Sequence, residues 1–129
     1  MKLKGHRHKL KVHLGKRGSV MNEDIRQATV DEIPQGAKIL DVREDYEWVE
    51  GHIEGAQHIP LAEVPERYGE VPLDEDVYII CRSGGRSLRA AAYLTQYGFD
   101  AINVLGGMGA WQDAEKPMVS ENGQSPQVR

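Results

Sequence analysis

Val77-Tyr78-Ile79-Ile80-Cys81-Arg82-Ser83-Gly84-Gly85-Arg86-Ser87, running on into Leu88-Arg89-Ala90-Ala91-Ala92-Tyr93-Leu94-Thr95-Gln96-Tyr97-Gly98, is the stretch that sets the fold class. Val77–Ile80 is apolar at consecutive positions, the pattern of a strand buried on both faces, as in a parallel sheet. Residues 87–97 are rich in Ala and Leu and free of Gly and Pro, and Gly98 closes them, which predicts a helix with a glycine stop. Strand, tight loop and helix follow one another with nothing to spare. Downstream, residues 101–105 read as a further strand, and Gly106-Gly107 turns the chain into a last helix carrying Trp111. Upstream, Lys38-Ile39-Leu40-Asp41-Val42 is a short apolar run after the turn residues Pro34-Gln35-Gly36. Asp45–Glu50 predicts one short polar helix closed by Gly51. Residues 56–59 are extended and stopped by Pro60, and residues 61–68 have helical spacing up to Gly69. Strands alternating with helices imply a three-layer α/β domain with right-handed crossovers. Ligands in such sheets sit beyond the carboxyl ends of the strands.

The chain has 129 residues, 40% hydrophobic and 28% charged, enough for one core and ordinary for a globular domain. That balance argues against wholesale disorder, collagen and repeat arrays. No apolar run approaches the roughly 20 residues of a spanning helix. One cysteine excludes an internal disulfide and a thiolate zinc cluster, and it fits a reducing, cytoplasmic compartment. The net charge of −4 hides an asymmetry. Residues 1–19 hold seven Lys/Arg and no acid, leaving nine basic against 20 acidic groups in the rest. This leader lacks the apolar centre of a secretory signal. Three readings stay open for it: an expression leader ending at Gly18-Ser19, a disordered basic arm, or a mitochondrial-type presequence poor in Ser. The folded domain is expected over residues 20–119, and the polar tail 120–129 is expected to fray.

Cys81 stands at a strand's carboxyl end, in a tight loop, facing a helix N-terminus. Gly84 and Gly85 let the loop curl and turn backbone N–H groups inward. The helix start adds partial positive charge, and Arg82 and Arg86 add full charges. These favour thiolate over thiol and predict a nucleophile in a cradle suited to an anion such as a sulfur oxyanion. The bland alternative is a buried cysteine acting as a small hydrophobe. Such a residue has no need of two arginines and two glycines in the next five positions.

Four stretches together resemble the rhodanese sulfurtransferases. They are Asp41-Val42-Arg43-Glu44 with Glu47; Gly51-His52-Ile53-Glu54-Gly55-Ala56 running into His58-Ile59-Pro60; Cys81-Arg82-Ser83-Gly84-Gly85-Arg86-Ser87; and Val104-Leu105-Gly106-Gly107-Met108-Gly109-Ala110-Trp111. The resemblance covers residues 26–117 and implies a single rhodanese-like domain with a central, mostly parallel five-stranded sheet flanked by helices. It implies a Cys81 persulfide, loaded from a donor such as thiosulfate and discharged to cyanide or a thiol. Backbone amides of residues 82–86 would cradle the sulfur, Arg82 and Arg86 would attract the donor, and Ser83 and Ser87 would donate hydrogen bonds. Gly84 and Gly85 would shape the loop. No metal or organic cofactor is implied. Implied partners are a small-molecule sulfur donor and a thiol acceptor, or a sulfur-donor or acceptor protein; membrane and nucleic acid are not expected.

Asp41 and Arg43 are read as supports, Asp41 holding loop amides and Arg43 pairing with Glu47 or Glu44. His52, His58, Trp48 and Trp111 are read as structural. Two rival activities compete with this reading. Cysteine phosphatases and arsenate reductases resemble Cys-x5-Arg, whereas Arg86 follows Cys81 after four residues, so the loop is one residue short. A persulfide carrier keeps the same cysteine and is not separated from an enzyme by sequence, whereas the intact cysteine argues against a mere binding module. A lone cysteine excludes internal dithiol chemistry, and neither G-x-G-x-x-G nor a Walker motif occurs.

Overall fold

The computed structural model describes residues 24–129. The basic leader at 1–19, with its three readings, lies outside the described residues. Five strands form one sheet: β1 (Arg26–Ala28), β2 (Lys38–Asp41), β3 (Gln57–His58), β4 (Val77–Ile80) and β5 (Ala101–Val104). Their order is β1-β5-β4-β2-β3. Every neighbouring pair is parallel, so the sheet expected to be mostly parallel is wholly so. β4 and β5 are buried along their whole length, which explains the apolar run of β4 and the run of β5 that only Asn103 interrupts. β1 has no such run. It is a three-residue edge strand with two exposed residues, too short and too polar to announce itself.

Among the described residues three α-helices connect strands, α1 (Asp45–Glu50), α2 (Val64–Arg67) and α3 (Gly85–Gln96), and a fourth, α4 (Gly107–Asp113), follows β5. The single helix expected over 61–68 is instead broken into 3-10 turns at Leu61–Glu63 and Tyr68–Glu70 around α2. Pro65 has no N–H to give, so it is accommodated in the first turn of α2 and cannot lie mid-helix.

The sheet's two faces bury separate apolar clusters. Leu40, Val42, Ile79 and Cys81 pack with Ala90, Ala91 and Leu94 of α3. Tyr78, Ile80, Ile102 and Val104 pack with Met108 and Trp111 of α4. Neighbouring residues of β4 thus serve opposite faces, as the two-residue strand period demands.

The tail does not fray. Val119 and His52 exchange backbone hydrogen bonds of 2.8 and 2.9 Å, the Glu121 N–H donates to Val49 O, and the Gln127 N–H donates to Glu50 O. A Cβ at position 51 would lie 2.5 Å from the Gln127 carbonyl oxygen, so glycine there admits the returning chain. Much of the attachment runs through backbone groups, which any sequence possesses, and polar side chains such as Glu121 on His52 add to it.

Candidate active site

Cys81 follows the last residue of β4 and is 1% exposed. The loop then turns through Gly84, whose φ of +117° lies in the left-handed region that glycine adopts without strain. That turn aims the Gly84 N–H at Cys81 Sγ, 3.1 Å away. The Ser87 hydroxyl, on the first turn of α3, is 3.4 Å from the same sulfur. Burial raises the thiol's pKa and is the largest single influence; the Ser87 hydroxyl and the amides of Ser87, Gly84 and Ser83 act oppositely. Together these donors hold Cys81 below the ordinary cysteine value. Of the expected loop residues, Ser83 and Gly85 are exposed, Arg82, Gly84 and Arg86 are half-buried, and Ser87 is buried.

The two arginines have different neighbours. Arg86 grips Glu47 of α1 with both terminal nitrogens, at 2.8 and 2.9 Å. Burial pushes the Glu47 carboxyl up, but the Arg86 bond and the Glu44 backbone N–H outweigh it and hold Glu47 below the usual carboxylate range. Arg86 is raised in turn, chiefly by Glu47, with a smaller contribution from Cys81. Arg82 donates from Nε to the Arg129 carbonyl at 2.9 Å. Its guanidinium lies over Gly109, where a Cβ would collide with it.

The late glycine-rich stretch seats α4 on the loop. Met108 N–H donates to Cys81 O at 2.8 Å and Gly109 N–H to Arg82 O at 3.0 Å. At Gly107, φ +54°, a Cβ would run into the Cys81 carbonyl. These glycines therefore serve close approach to the cysteine loop.

Asp41 and Arg43 behave differently from expectation. Asp41 makes no bond to the Cys81 loop; it accepts from Arg43, at 3.0 Å from Nε and 2.8 Å from Nη2, and from the Arg43 backbone N–H at 3.0 Å. Arg43 pairs with neither the Glu47 nor the Glu44 carboxylate. It reaches the carbonyls of Gly51 at 2.8 Å and Glu47 at 3.5 Å. The physical reason is spacing: Asp41 and Arg43 flank Val42 at the end of β2 and curl into one bidentate pair, which leaves the Glu47 carboxylate for Arg86. Both groups are essentially unexposed, so the pair is a bracket tying β2 to the end of α1.

Trp48 stacks on His52 with ring centroids 3.5 Å apart and on His58 at 4.6 Å. His52 also meets Glu121 of the tail at 2.7 Å. One residue near the sulfur escaped the sequence reading. Asn103 of β5 accepts from Ser87 Oγ at 2.6 Å and donates to Gln27 Oε1 at 2.9 Å. Its signal was present, a lone polar residue inside an otherwise apolar buried strand. An open cleft of about 480 Å³ flanks the site, bounded by Leu61, Val64 and Pro65 on one side and Arg86, Arg89 and Tyr93 of α3 on the other. Among the described residues no group of three or more His, Cys, Asp or Glu is placed to hold a metal ion. No helix among them is long and apolar enough to cross a membrane.

The sequence model of the Rhodanese-like domain family matches residues 24–114. A sulfurtransferase of Allochromatium vinosum is 37% identical over 103 residues, which are 79% of this chain and 94% of the relative. The putative sulfur carrier protein YrkF of Bacillus subtilis is 46% identical over 78 residues, 60% of this chain and 42% of that protein. A crystal structure of a rhodanese-related protein from Thermoplasma volcanium superposes with a TM-score of 0.69 at 31% identity, covering 73% of this chain and 97% of the other.

Proposed function

The chain belongs to the rhodanese-like domain family, and from that premise we propose that it moves sulfane sulfur from an anionic donor such as thiosulfate to cyanide or a thiol. Cys81 is the residue that carries the sulfur. The observation that supports this most is the convergence of donors on Cys81 Sγ: the Gly84 amide at 3.1 Å, the Ser87 hydroxyl at 3.4 Å, and the amides of Ser83 and Ser87. Such donors stabilise a thiolate at the bottom of the loop, and the same ring of amides suits a second sulfur standing on it.

The thiolate attacks the outer sulfur of thiosulfate, an S–S bond forms to Cys81, and the bond to the sulfonate sulfur breaks. Sulfite leaves with the electron pair. The terminal persulfide sulfur then bonds to the acceptor, and its bond to Cys81 breaks, returning the thiolate. Cyanide leaves as thiocyanate, and a thiolate acceptor leaves as its persulfide. Amides of residues 82–86 cradle the transferred sulfur. Arg82 adds positive charge at the rim, while Arg86, held and neutralised by Glu47, fixes the start of α3. An unpaired thiol suits a reducing compartment, and we place the chain in the cytoplasm.

A second reading is favoured by the relative named as a putative sulfur carrier. Cys81 then receives sulfur from a protein donor and delivers it to a protein acceptor. One experiment serves both. Incubation with thiosulfate should add about 32 Da, one sulfur atom, and Cys81→Ser should abolish the addition. Turnover with thiosulfate and cyanide is compared with loading from a cysteine desulfurase. Fast thiosulfate turnover supports the enzyme, and fast loading from the desulfurase alone supports the carrier. A Cys81→Ser protein consuming thiosulfate at the unaltered rate would sink both.

A further inference from the structure

We infer that Asn103, oriented by Gln27, draws the Ser87 hydroxyl proton away from the resting Cys81 sulfur and, as a positioning residue for that proton, opposes the thiolate. This rests on Cys81 being the sulfur-bearing nucleophile. Ser87 Oγ has a single proton and two acceptors. Asn103 Oδ1 lies at 2.6 Å, at the short end of the range for O–H···O bonds, and Cys81 Sγ lies at 3.4 Å. While Cys81 is a thiol, a neutral and weak acceptor, the amide oxygen holds that proton.

The orientation of Asn103 is not left to chance. Gln27 and Asn103 sit opposite one another in the register of β1 and β5. Gln27 Oε1 accepts from Asn103 Nδ2 at 2.9 Å, which turns Oδ1 toward Ser87. Were the amide reversed, its N–H groups would face Ser87, whose oxygen would accept and whose proton would turn to the sulfur. Ser87 is 0% and Asn103 2% exposed, so water does not stand in for either partner. Gln27 alone is exposed. A chain of hydrogen bonds thus runs from an edge-strand glutamine to the nucleophile.

Ionisation reverses the contest. The Cys81 proton leaves to solvent, Ser87 keeps its own proton and rotates it to the thiolate, and Asn103 Oδ1 is left buried without that donor. Leaving a buried acceptor unpaired is costly, so Asn103 opposes the thiolate. When the sulfur is loaded, the negative charge moves outward to the terminal atom and the Ser87 proton returns to Asn103. The charged group that interacts with the sulfur is Arg86 of α3, paired with Glu47 of α1, and the Asp41–Arg43 pair at the end of β2 is closed on itself. Arg82, in the loop, is bonded to the Arg129 carbonyl. None of these is altered by removing Gln27 or Asn103.

The test is the rate of Cys81 alkylation by iodoacetamide across pH, on the full chain. Gln27→Leu frees the Asn103 amide to reverse, and Asn103→Leu removes the competing acceptor. Each should lower the apparent pKa of Cys81 by about half a unit to one unit, the worth of one net hydrogen bond. Alkylation well below that pKa should then run about three- to tenfold faster. Gln27→Glu keeps an acceptor facing Asn103 Nδ2 and should leave the pKa at or above its unaltered value. Gln27 is on the surface, so its variants keep the test alive if Asn103→Leu fails to fold. An unchanged or raised pKa in Gln27→Leu overturns the inference. Thiosulfate loading of the unaltered protein is measured separately: its failure refutes the sulfur-transfer reading and leaves the proton assignment standing on the alkylation profile.

Discussion

Replacing Arg43 by methionine keeps most of the side chain's bulk and removes its charge, which leaves Asp41 buried opposite nothing. Asp41 accepts four bonds from Arg43, three from the guanidinium and one from the backbone N–H. Only the backbone bond survives the change. The Gly51 carbonyl loses its partner as well. Breaking a buried ion pair from one side costs about 3–5 kcal/mol, because a charge remains in a medium that cannot solvate it. Domains of this size hold roughly 5–15 kcal/mol in all, so Arg43→Met should remove a large part of the stability. The whole pair is a different matter, since its mutual attraction is largely spent on desolvation. The double variant Asp41→Leu/Arg43→Met should therefore recover about half or more of the single variant's loss. Urea unfolding followed by tryptophan fluorescence gives the numbers. A cost below about 1 kcal/mol for Arg43→Met, or a double variant worse than the single one, would refute the bracket argument.

Glu47→Gln should release Arg86 and lower kcat/KM for thiosulfate about tenfold or more while leaving the fold intact, measured by thiocyanate formation. Because the folded-state pKa of Glu47 is depressed, its contribution is full above the ordinary glutamate value and fades as pH falls through the lowered one. The stability gap between the unaltered protein and Glu47→Gln should accordingly shrink on acidification below about pH 4, read by urea melts at each pH. Ser87→Ala removes a donor to the thiolate and should move the midpoint of Cys81 alkylation to higher pH; an unchanged midpoint would count against that donor. Gly107→Ala forces a methyl group into the Cys81 carbonyl at a backbone φ of +54°, and should cost about 1–3 kcal/mol and most of the sulfur-loading rate. Aryl phosphates should not be hydrolysed at a kcat/KM comparable to that for thiosulfate, a measurement that tests whether the four-residue spacing sets the choice of substrate.

The parts of the fold legible in the sequence are those where packing writes a local pattern. β4 and α3 carry apolar or alanine-rich runs, and β5 an apolar run that only Asn103 interrupts, because they are buried by one another. β1 and the returning tail were not legible, for β1 is short with two exposed residues and the tail is held by backbone bonds and scattered polar contacts that form no local pattern. In the site, the stretch from Cys81 to Ser87 was readable because strand end, glycines and helix start are contiguous. The pairing of charges was not. Glu47 follows Arg43 by four residues, a spacing that invites an ion pair, yet tertiary structure brings Glu47 to Arg86, 39 residues away. Asn103 was visible as an oddity, but its purpose needed β1 and α3 in place around it.

That repartnering changes where the anion binding must come from. Two free arginines in five residues suggest a site governed by net positive charge. The geometry instead gives Arg86 a carboxylate of its own and turns Arg82 toward the Arg129 carbonyl over α4. A neutral Arg86–Glu47 pair attracts a distant anion little, although it fixes the start of α3 relative to α1. What remains at the sulfur is a set of short, oriented dipoles: the Gly84 amide, the amides of Ser83 and Ser87, and one hydroxyl. Dipoles act over a few ångströms and have been aligned by folding before any ligand arrives. A site made this way stabilises charge on one atom close to Cys81 and does little for charge spread over a larger group. On the proposed function it should therefore favour a sulfur anion that sits on the cysteine, whereas a phosphoryl group would need donors for three oxygens further out. The low reach of the cradle, more than its sign, is what the four-residue spacing between Cys81 and Arg86 imposes.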